Sequence, residues 1–376
     1  MPTPAEGESQ PVGDAAVAKR ILREYHQRRI DPGSFQRLAG SVHGAGVSYL
    51  ASAADGQRLV VSAYRADAPV PVQFRRSSRI TAIDWLITQT ATLACLEQSG
   101  YPAPRLVRTR SGDMVGLDGV WLTLATSYVD GAVLRPSVEQ LRMLGGALGR
   151  LHSVGLAGET GLGHAMWYPE EAIPVTLARL DRVAGLVPAD WQEMYGLFRE
   201  TVLAVREQEG LLPRGLVHGD AWAANAVQTG PAGIVLIDWA CGGLGLPVLD
   251  LGNCLLECLL DAAPAGAGPG AGPRAGAGAG PGAWNVQPDE ARIAAVAVGY
   301  STRRALSPAE LDLLLPAIRF GAAYVGAIHF EQALADGVRG PAMDARLERL
   351  RNRVAVSETV AQLAARHLGG NQKPVR

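Results

Sequence analysis

Lysine is almost absent from this chain. Lys19 and Lys373 are the two present, both near the ends, so arginine supplies nearly all positive charge. Any cation required between them must be arginine. An excess of one sign is also missing: 35 Lys plus Arg stand against 36 Asp plus Glu. A near-neutral chain gives no reason to expect a nucleic-acid or membrane-surface partner. No apolar run of about 18 residues occurs, so no membrane-spanning helix is expected. The polar start, Met1 to Asp14, lacks a basic end followed by an apolar core, which argues against a secretory signal and for a cytoplasmic protein. Cysteine is sparse. Cys95, Cys241, Cys254 and Cys258 match no structural zinc spacing, and the last two sit in an apolar stretch where a thiol acts as a small buried hydrophobe.

What is present is ample apolar material, 48% of 376 residues, enough for one large or two small domains. Residues 1–15 read as a disordered tail and Ala16–Arg28 as a short helix. Strand candidates follow at Phe35–Gly40, Gly46–Ser52 and Arg58–Tyr64, the last two joined by the hairpin signal Asp55-Gly56. Thr81 to Gln98 has helical apolar spacing through Ile83, Leu86, Ile87, Leu93 and Leu96, and stops at Gly100. Two more strand candidates, Arg105–Arg108 and Val120–Tyr128, precede a break at Val129-Asp130-Gly131.

Beyond the break the pattern is mostly helical. Ser137–Ser153 opens with Ser137 and Gln140 in capping-box positions. Further helices are expected at Pro188–Glu209, Leu249–Leu260, Pro288–Arg304, Pro308–Asp336 and Met343–His367. Ala262–Ala283 is nearly pure Gly, Ala and Pro, a composition expected to be a flexible insertion. The expectation is an α+β, bilobal chain: a small antiparallel-sheet lobe over 16–130 and a larger helical lobe over 131–367, with a short tail at 368–376. A cleft between lobes is a common ligand site.

The chemistry concentrates in Val217-His218-Gly219-Asp220-Ala221-Trp222-Ala223-Ala224-Asn225 and, on a later strand, Ile237-Asp238-Trp239. Singly, each polar residue here has a plain reading as a cap or turn residue. Together they pair an aspartate with an asparagine five positions on, four residues lying between, and a second aspartate after an apolar strand. That is the spacing of a kinase catalytic loop and its metal-binding aspartate.

This segment resembles the aminoglycoside phosphotransferase and choline kinase superfamily, which has a protein-kinase-like fold. The resemblance extends through Gly245-Leu246-Pro247, Asp250-Leu251-Gly252, Leu148-Gly149-Arg150-Leu151-His152 and Gly100-Tyr101-Pro102-Ala103-Pro104. It spans about residues 20–365, with the specific motifs in Val217–Gly252. It implies that Asp220 orients and deprotonates an acceptor hydroxyl, that His218 braces this catalytic loop, and that Asn225 and Asp238 hold magnesium on the phosphates of ATP or GTP. Asp250 would fix loop geometry. Gly40, Gly44, Gly46, Val60 and Ser62 fall where the family binds nucleotide. Trp222, Trp239, Trp167 and Glu257 are candidates for the acceptor side, with Tyr168, Tyr324 and His329 behind them. Glu170 and Glu171 give thin support for a polycationic acceptor, because glutamates at a helix start are usually surface residues.

The small lobe departs from the family pattern. A Lys or Arg on the third strand normally holds the early phosphates and pairs with a glutamate on the next helix. Those positions fall at Ser62 and Gln89, which could hydrogen bond to one another. Arg58, Arg65, Arg75, Arg76 and Arg79 are the nearby candidates to replace the cation. Two function classes follow. One is a magnesium- and nucleotide-dependent small-molecule kinase acting on a hydroxyl; the other is a kinase-like binding or regulatory protein with little catalysis, motivated by Ser62 and Gln89. A metal-dependent hydrolase is disfavoured because no histidine cluster supplies further ligands.

Overall fold

The computed structural model describes residues 14–25, 30–38, 46–67, 81–156, 161–231, 233–260, 287–338 and 340–369. Gly40, His43, Gly44, Arg75, Arg76, Arg79 and the 262–283 insertion lie outside the described residues. Asp14 and Ala15, expected in the tail, already belong to the first helix, α1 (Asp14–Tyr25).

An antiparallel sheet forms the first lobe. Its strands are β1 (Gln36–Arg37), β2 (Gly46–Ser52), β3 (Arg58–Arg65), β4 (Leu106–Val107), β5 (Gly116–Asp118) and β6 (Trp121–Ser127), in the order β1-β2-β3-β6-β4 with β5 also on β6. Sequence patterning had missed β5. Alternation sets the two faces of β3. Leu59, Val61 and Ala63 are buried with Val17, Ile21 and Tyr25 of α1, while Val60, Ser62 and Tyr64 face the other way. The β2–β3 register places Ser48 opposite Ser62 and Gly46 opposite Tyr64.

The helix α2 (Ala82–Gln98) lies against that second face. Thr81 caps it in a reciprocal box with Asp84. Its buried side differs from the expected one: Trp85, Leu86, Leu93 and Leu96 are buried, whereas Ile83 and Ile87 are exposed. The indole of Trp85 provides the anchor that apolar spacing alone did not rank.

After β7 (Ala132–Val133) come α3 (Val138–Leu151), α4 (Pro169–Val183), α5 (Gln192–Gln208) and β8 (Gly215–Val217). Then follow β9 (Ala226–Gln228), β10 (Ile234–Leu236), β11 (Gly243–Gly245) and α6 (Pro247–Glu257). The chain closes with α7 (Glu290–Ser301), α8 (Pro308–Asp312), α9 (Leu314–Phe330) and α10 (Pro341–Leu368). Ser137 does cap α3, but Gln140 Oε1 accepts from Arg135 N rather than from the Ser137 amide, so the expected box is not reciprocal. The single helix expected over 308–336 is instead α8 and α9, divided at Leu313, with a wide turn at Glu331–Ala335.

Helix α9, with Phe320, Tyr324 and Phe330 buried, packs against α4, α5, α6 and α10 and forms the axis of the helical lobe. No helix among the described residues is long and apolar enough to cross a membrane.

Helices α3 and α7 approach unusually closely, and glycine makes this possible. A Cβ at Gly299 would stand 2.0 Å from the Arg142 carbonyl oxygen, and one at Gly145 would stand 2.1 Å from that of Val296. Neither backbone can yield locally, so added volume must push the helices apart. Gly299→Val is expected to cost about 3 kcal/mol of stability, read as a lower urea midpoint at unchanged slope. An unchanged midpoint would show that this crossing is not tight.

Candidate active site

The site is built on a loop between two short strands. Strand β8 delivers His218, Gly219 and Asp220; one turn later Asn225 enters β9, and β10 returns to deliver Asp238. Asn225 Nδ2 donates to Asp220 Oδ2 at 2.8 Å and to the Asp220 carbonyl at 2.9 Å. The Asn225 carbonyl accepts from Ile237 N at 2.9 Å. These bonds bring all three polar residues to one place. Asp238 takes φ 63° and ψ 64°, and among the described residues it is the one non-glycine residue in the left-handed region. Such a conformation persists where the surroundings over-determine it, often at functional positions.

A buried carboxylate holds the loop from below. Asp250, in the first turn of α6, is fully buried. Its Oδ2 accepts from His218 N at 2.7 Å and its Oδ1 from Gly219 N at 3.0 Å. Its Oδ2 also contacts His152 Nε2 at 3.1 Å. A carboxylate only accepts, so Nε2 carries the proton and His152 Nδ1 accepts from the Tyr300 hydroxyl at 2.9 Å. Tyr300 in turn accepts from Arg304 at 3.0 Å, and Arg304 is paired with the buried Glu310 at 2.8 Å. Burial keeps the His152 pKa below the usual imidazole value, so the ring stays neutral in this chain of bonds.

His218 is likewise buried and its pKa lowered, mainly by desolvation. Its Nε2 donates to the Ile237 carbonyl at 2.9 Å, and its Nδ1 faces the Asp220 amide at 3.3 Å. Both nitrogens are thus committed to the loop backbone. The ring braces Asp220 against the strand that carries Asp238, and has no face for proton transfer with a ligand.

Asp220 is half-buried. Its pKa is pushed up to about 8, first by burial and then by the carboxylates of Asp238 and Glu257, against the lowering bond from Asn225. The site therefore holds more negative charge than it can comfortably ionise, which is a demand for a cation. Among the described residues no group of three or more His, Cys, Asp or Glu forms a metal cage. What is present is an oxygen pair, Asn225 and Asp238. One or two protein oxygens suit a hard divalent ion that keeps waters and substrate phosphates as its remaining ligands. The residues fit such an ion.

The cleft above Asp238 is lined by Ser48, Val60, Ser62, Tyr64, Trp85, Gln89, Leu124, Thr126, Tyr128 and Trp239, among others. Ser62 does not bond Gln89: its hydroxyl pairs with Ser48 at 2.7 Å, and the buried Gln89 Oε1 has no hydrogen-bond partner. The described arginines offered as replacements are used elsewhere. Arg65 pairs with Asp67 at 2.6 Å, and Arg58 pairs with Asp130 while lying over the Tyr128 ring. Gly46 begins β2 opposite Tyr64 and is not among the residues that line the cleft.

The aromatic candidates are mostly committed to packing. Trp239 is 1% exposed, donates to the Leu236 carbonyl, and lies 4.6 Å from the His218 ring. Trp167 donates to the Gly219 carbonyl at 2.8 Å and meets Phe320 and Tyr324 edge-on, so it supports the His218–Asn225 loop from the helical side. Trp222 is buried and its carbonyl accepts from Asn225 N. Glu257, at the end of α6, pairs with Arg353. Glu170 and Glu171 are spent on Arg214 and His164, each at 2.9 Å, which removes the thin support for a polycationic acceptor. Tyr168 is stacked on His164. Trp85 and Tyr64 were not singled out from sequence. Trp85 Nε1 donates to the Ala240 carbonyl at 2.6 Å and ties the lobes together beside Asp238.

Two outcomes are expected. Asp250→Ala strands two buried amides and an imidazole donor, and should cost about 3 kcal/mol or more in denaturant unfolding; a cost below about 1 kcal/mol would contradict the clamp. The second concerns pH. The folded-state pKa of Asp220, about 8, lies above the ordinary carboxylate value of 3.8. Between those values the native state binds the extra proton, so stability of the metal-free protein should fall as pH rises across this window. Asp220→Asn should flatten that slope in pH-dependent melting; a slope unchanged by the substitution would contradict the assignment.

Comparison with known proteins gives the family and the fold. Residues 48–296 match the family described as "Phosphotransferase enzyme family". A homoserine kinase from Methylobacterium sp. (strain 4-46) is 30% identical over 165 residues, covering 43% of this chain and 49% of that protein, so the match spans about half the relative's length. A solved amicoumacin kinase, in complex with AMP-PNP, Ca2+ and Ami, superposes with TM-score 0.62 at 15% identity, covering 92% of this chain and 94% of the other. A microcompartment-associated aminopropanol kinase gives 0.62 at 17% identity over 94% and 99% of the two chains. An ethanolamine kinase from Plasmodium vivax gives 0.58 at 12% identity over 94% and 91%. At such identities these structures establish the protein-kinase-like fold. The match over residues 48–296 goes further: this chain belongs to the phosphotransferase enzyme family.

Proposed function

We propose that this protein transfers the terminal phosphate of ATP or GTP, with magnesium, to a hydroxyl of a small molecule. The observation that carries this reading is the Asn225 side chain. Its Nδ2 fixes the Asp220 carboxylate while its backbone carbonyl receives Ile237 N, so that Asp220 and Asp238 flank one point. Asp220 then accepts the acceptor's proton as the oxygen attacks phosphorus. Asn225 and Asp238 would hold the divalent ion, which supplies charge compensation on the phosphate oxygens when bound.

The surroundings suit this role. His218, Trp167 and Asp250 fix the loop on three sides, so Asp220 is positioned before substrate arrives. The cation also resolves the crowding around Asp220: positive charge beside Asp238 would lower the Asp220 pKa and leave it ionised, ready to take a proton near neutral pH. The named relatives, homoserine, aminopropanol and ethanolamine kinases, support a small hydroxyl-bearing acceptor.

One observation favours a second reading, nucleotide binding with little turnover. Asp238 is the one charged side chain among the described residues lining the cleft. Lost electrostatic donors of this type typically cost about 3 kcal/mol of transition-state stabilisation, which slows a kinase without abolishing it. A panel of hydroxyl acceptors with Mg-ATP and Mg-GTP separates the readings. Turnover is expected, and Asp220→Asn should reduce kcat on the order of a thousandfold with the fold retained. Turnover undiminished in Asp220→Asn would refute the assigned base. Nucleotide binding without any turnover in the wild type would establish the second reading.

A further inference from the structure

The cleft face of β3 carries Val60, Ser62 and Tyr64, and the ring of Tyr64 is held on several sides. Its cross-strand partner is Gly46, where a Cβ would stand 2.4 Å from the ring. Any other residue at 46 would displace the ring from this place. Trp85 meets the ring edge-on at 5.2 Å, and its own N–H is fixed to the Ala240 carbonyl, two residues beyond Asp238. On the same strand face Ser62 is paired with Ser48 at 2.7 Å, and these two hydroxyls line the cleft together with Tyr64 and Asp238. A neutral phenol carries one proton that it can donate to a ligand. The pKa of Tyr64 is pushed up to about 12, chiefly by burial and in part by the carboxylate of Asp238, so the group remains a proton donor at working pH.

We propose that Tyr64 is the phosphate-binding residue of the small lobe: its hydroxyl, alongside Ser62 and Ser48, donates to a nucleotide phosphate oxygen beside Asp238. A neutral donor stands on the same strand face, two residues beyond Ser62, the position at which the sequence pattern called for a cation. The inference deepens the phosphotransferase reading and rests on it. It has a consequence for the form of the ligand. Hydroxyls recognise phosphate without neutralising it, and Asp238 repels it, so compensation of the triphosphate charge falls to the divalent ion. The small lobe selects the metal-complexed nucleotide over the free one.

Calorimetric titration of the full chain tests this, with Mg-ATP, ATP in EDTA, and adenosine as probes. The wild type should bind Mg-ATP far more tightly than free ATP. Tyr64→Phe keeps the ring and its packing; it should weaken Mg-ATP about tenfold, as expected for one hydrogen bond to a charged oxygen, and leave adenosine unchanged. Ser62→Ala, which removes the neighbouring hydroxyl, should weaken Mg-ATP about threefold and also spare adenosine. Equal losses for adenosine and Mg-ATP would make Tyr64 a packing residue and overturn the proposal. No loss for either probe in both variants would overturn it as well. Wild-type protein that binds none of the three probes would bring down the phosphotransferase reading and Tyr64 with it, whereas binding that ignores Tyr64 brings down Tyr64 alone.

Discussion

The clamp of Asp250 on the backbone of His218 and Gly219 is the interaction on which the rest of the site depends. Placing a carboxylate in a dry interior is costly unless every lone pair finds a donor. Here two loop amides and the His152 ring supply those donors. The same requirement, seen from the loop, satisfies amides that no strand partner reaches. The bond chain continues through Tyr300 to Arg304 and Glu310. Each member has its donor and acceptor roles set by its neighbour, so the catalytic loop is referenced to α3, α6, α7 and α8 together. A loop held this way can carry a strained residue such as Asp238 and a crowded one such as Asp220.

The two lobes contribute unequally to the candidate site. The helical lobe supplies Asp220, Asn225 and Asp238, together with the packing of Trp167 and Trp239 behind them. The small lobe supplies the cleft wall, with hydroxyl and amide groups and no described cation. Electrostatically the cleft is a negative point, Asp238, beneath a neutral roof. Positive charge must then arrive with the ligand. This division is coherent with a chain whose interior sequence has no lysine to spend, and whose described arginines near β3 are engaged with Asp67 and Asp130 on the surface.

Much of the architecture was legible from local patterning. The hairpin at Asp55-Gly56, the stop of α2 at Gly100 and the start of α3 at Ser137 all follow from turn and cap chemistry, which acts over a few residues. The family assignment followed from His218, Gly219, Asp220, Asn225 and Asp238, because the spacing itself encodes the geometry. Other features depended on which partner lay across the chain. Apolar spacing gave α2 an inward face containing Ile83 and Ile87; packing against the cleft turned Trp85 inward instead. Ser62 and Gln89 were paired by analogy with an ion pair, but β2 offered Ser62 the nearer hydroxyl of Ser48. Large aromatics near the catalytic motif read as pocket residues, whereas the loop needed them as supports.

The sequence by itself determined the reaction-class motif, the order of a strand-rich part before a helical part, and the absence of any lysine between Lys19 and Lys373. These are properties of residue identity and short-range spacing, and no fold can add or remove them. Tertiary structure decided what each polar group faces. It committed both nitrogens of His218 to backbone, gathered Asp238 and Glu257 near Asp220, and set Tyr64 between Gly46 and Trp85. Burial and charge proximity arise from contacts between residues far apart in the chain, and it is those contacts that turn a motif into a site.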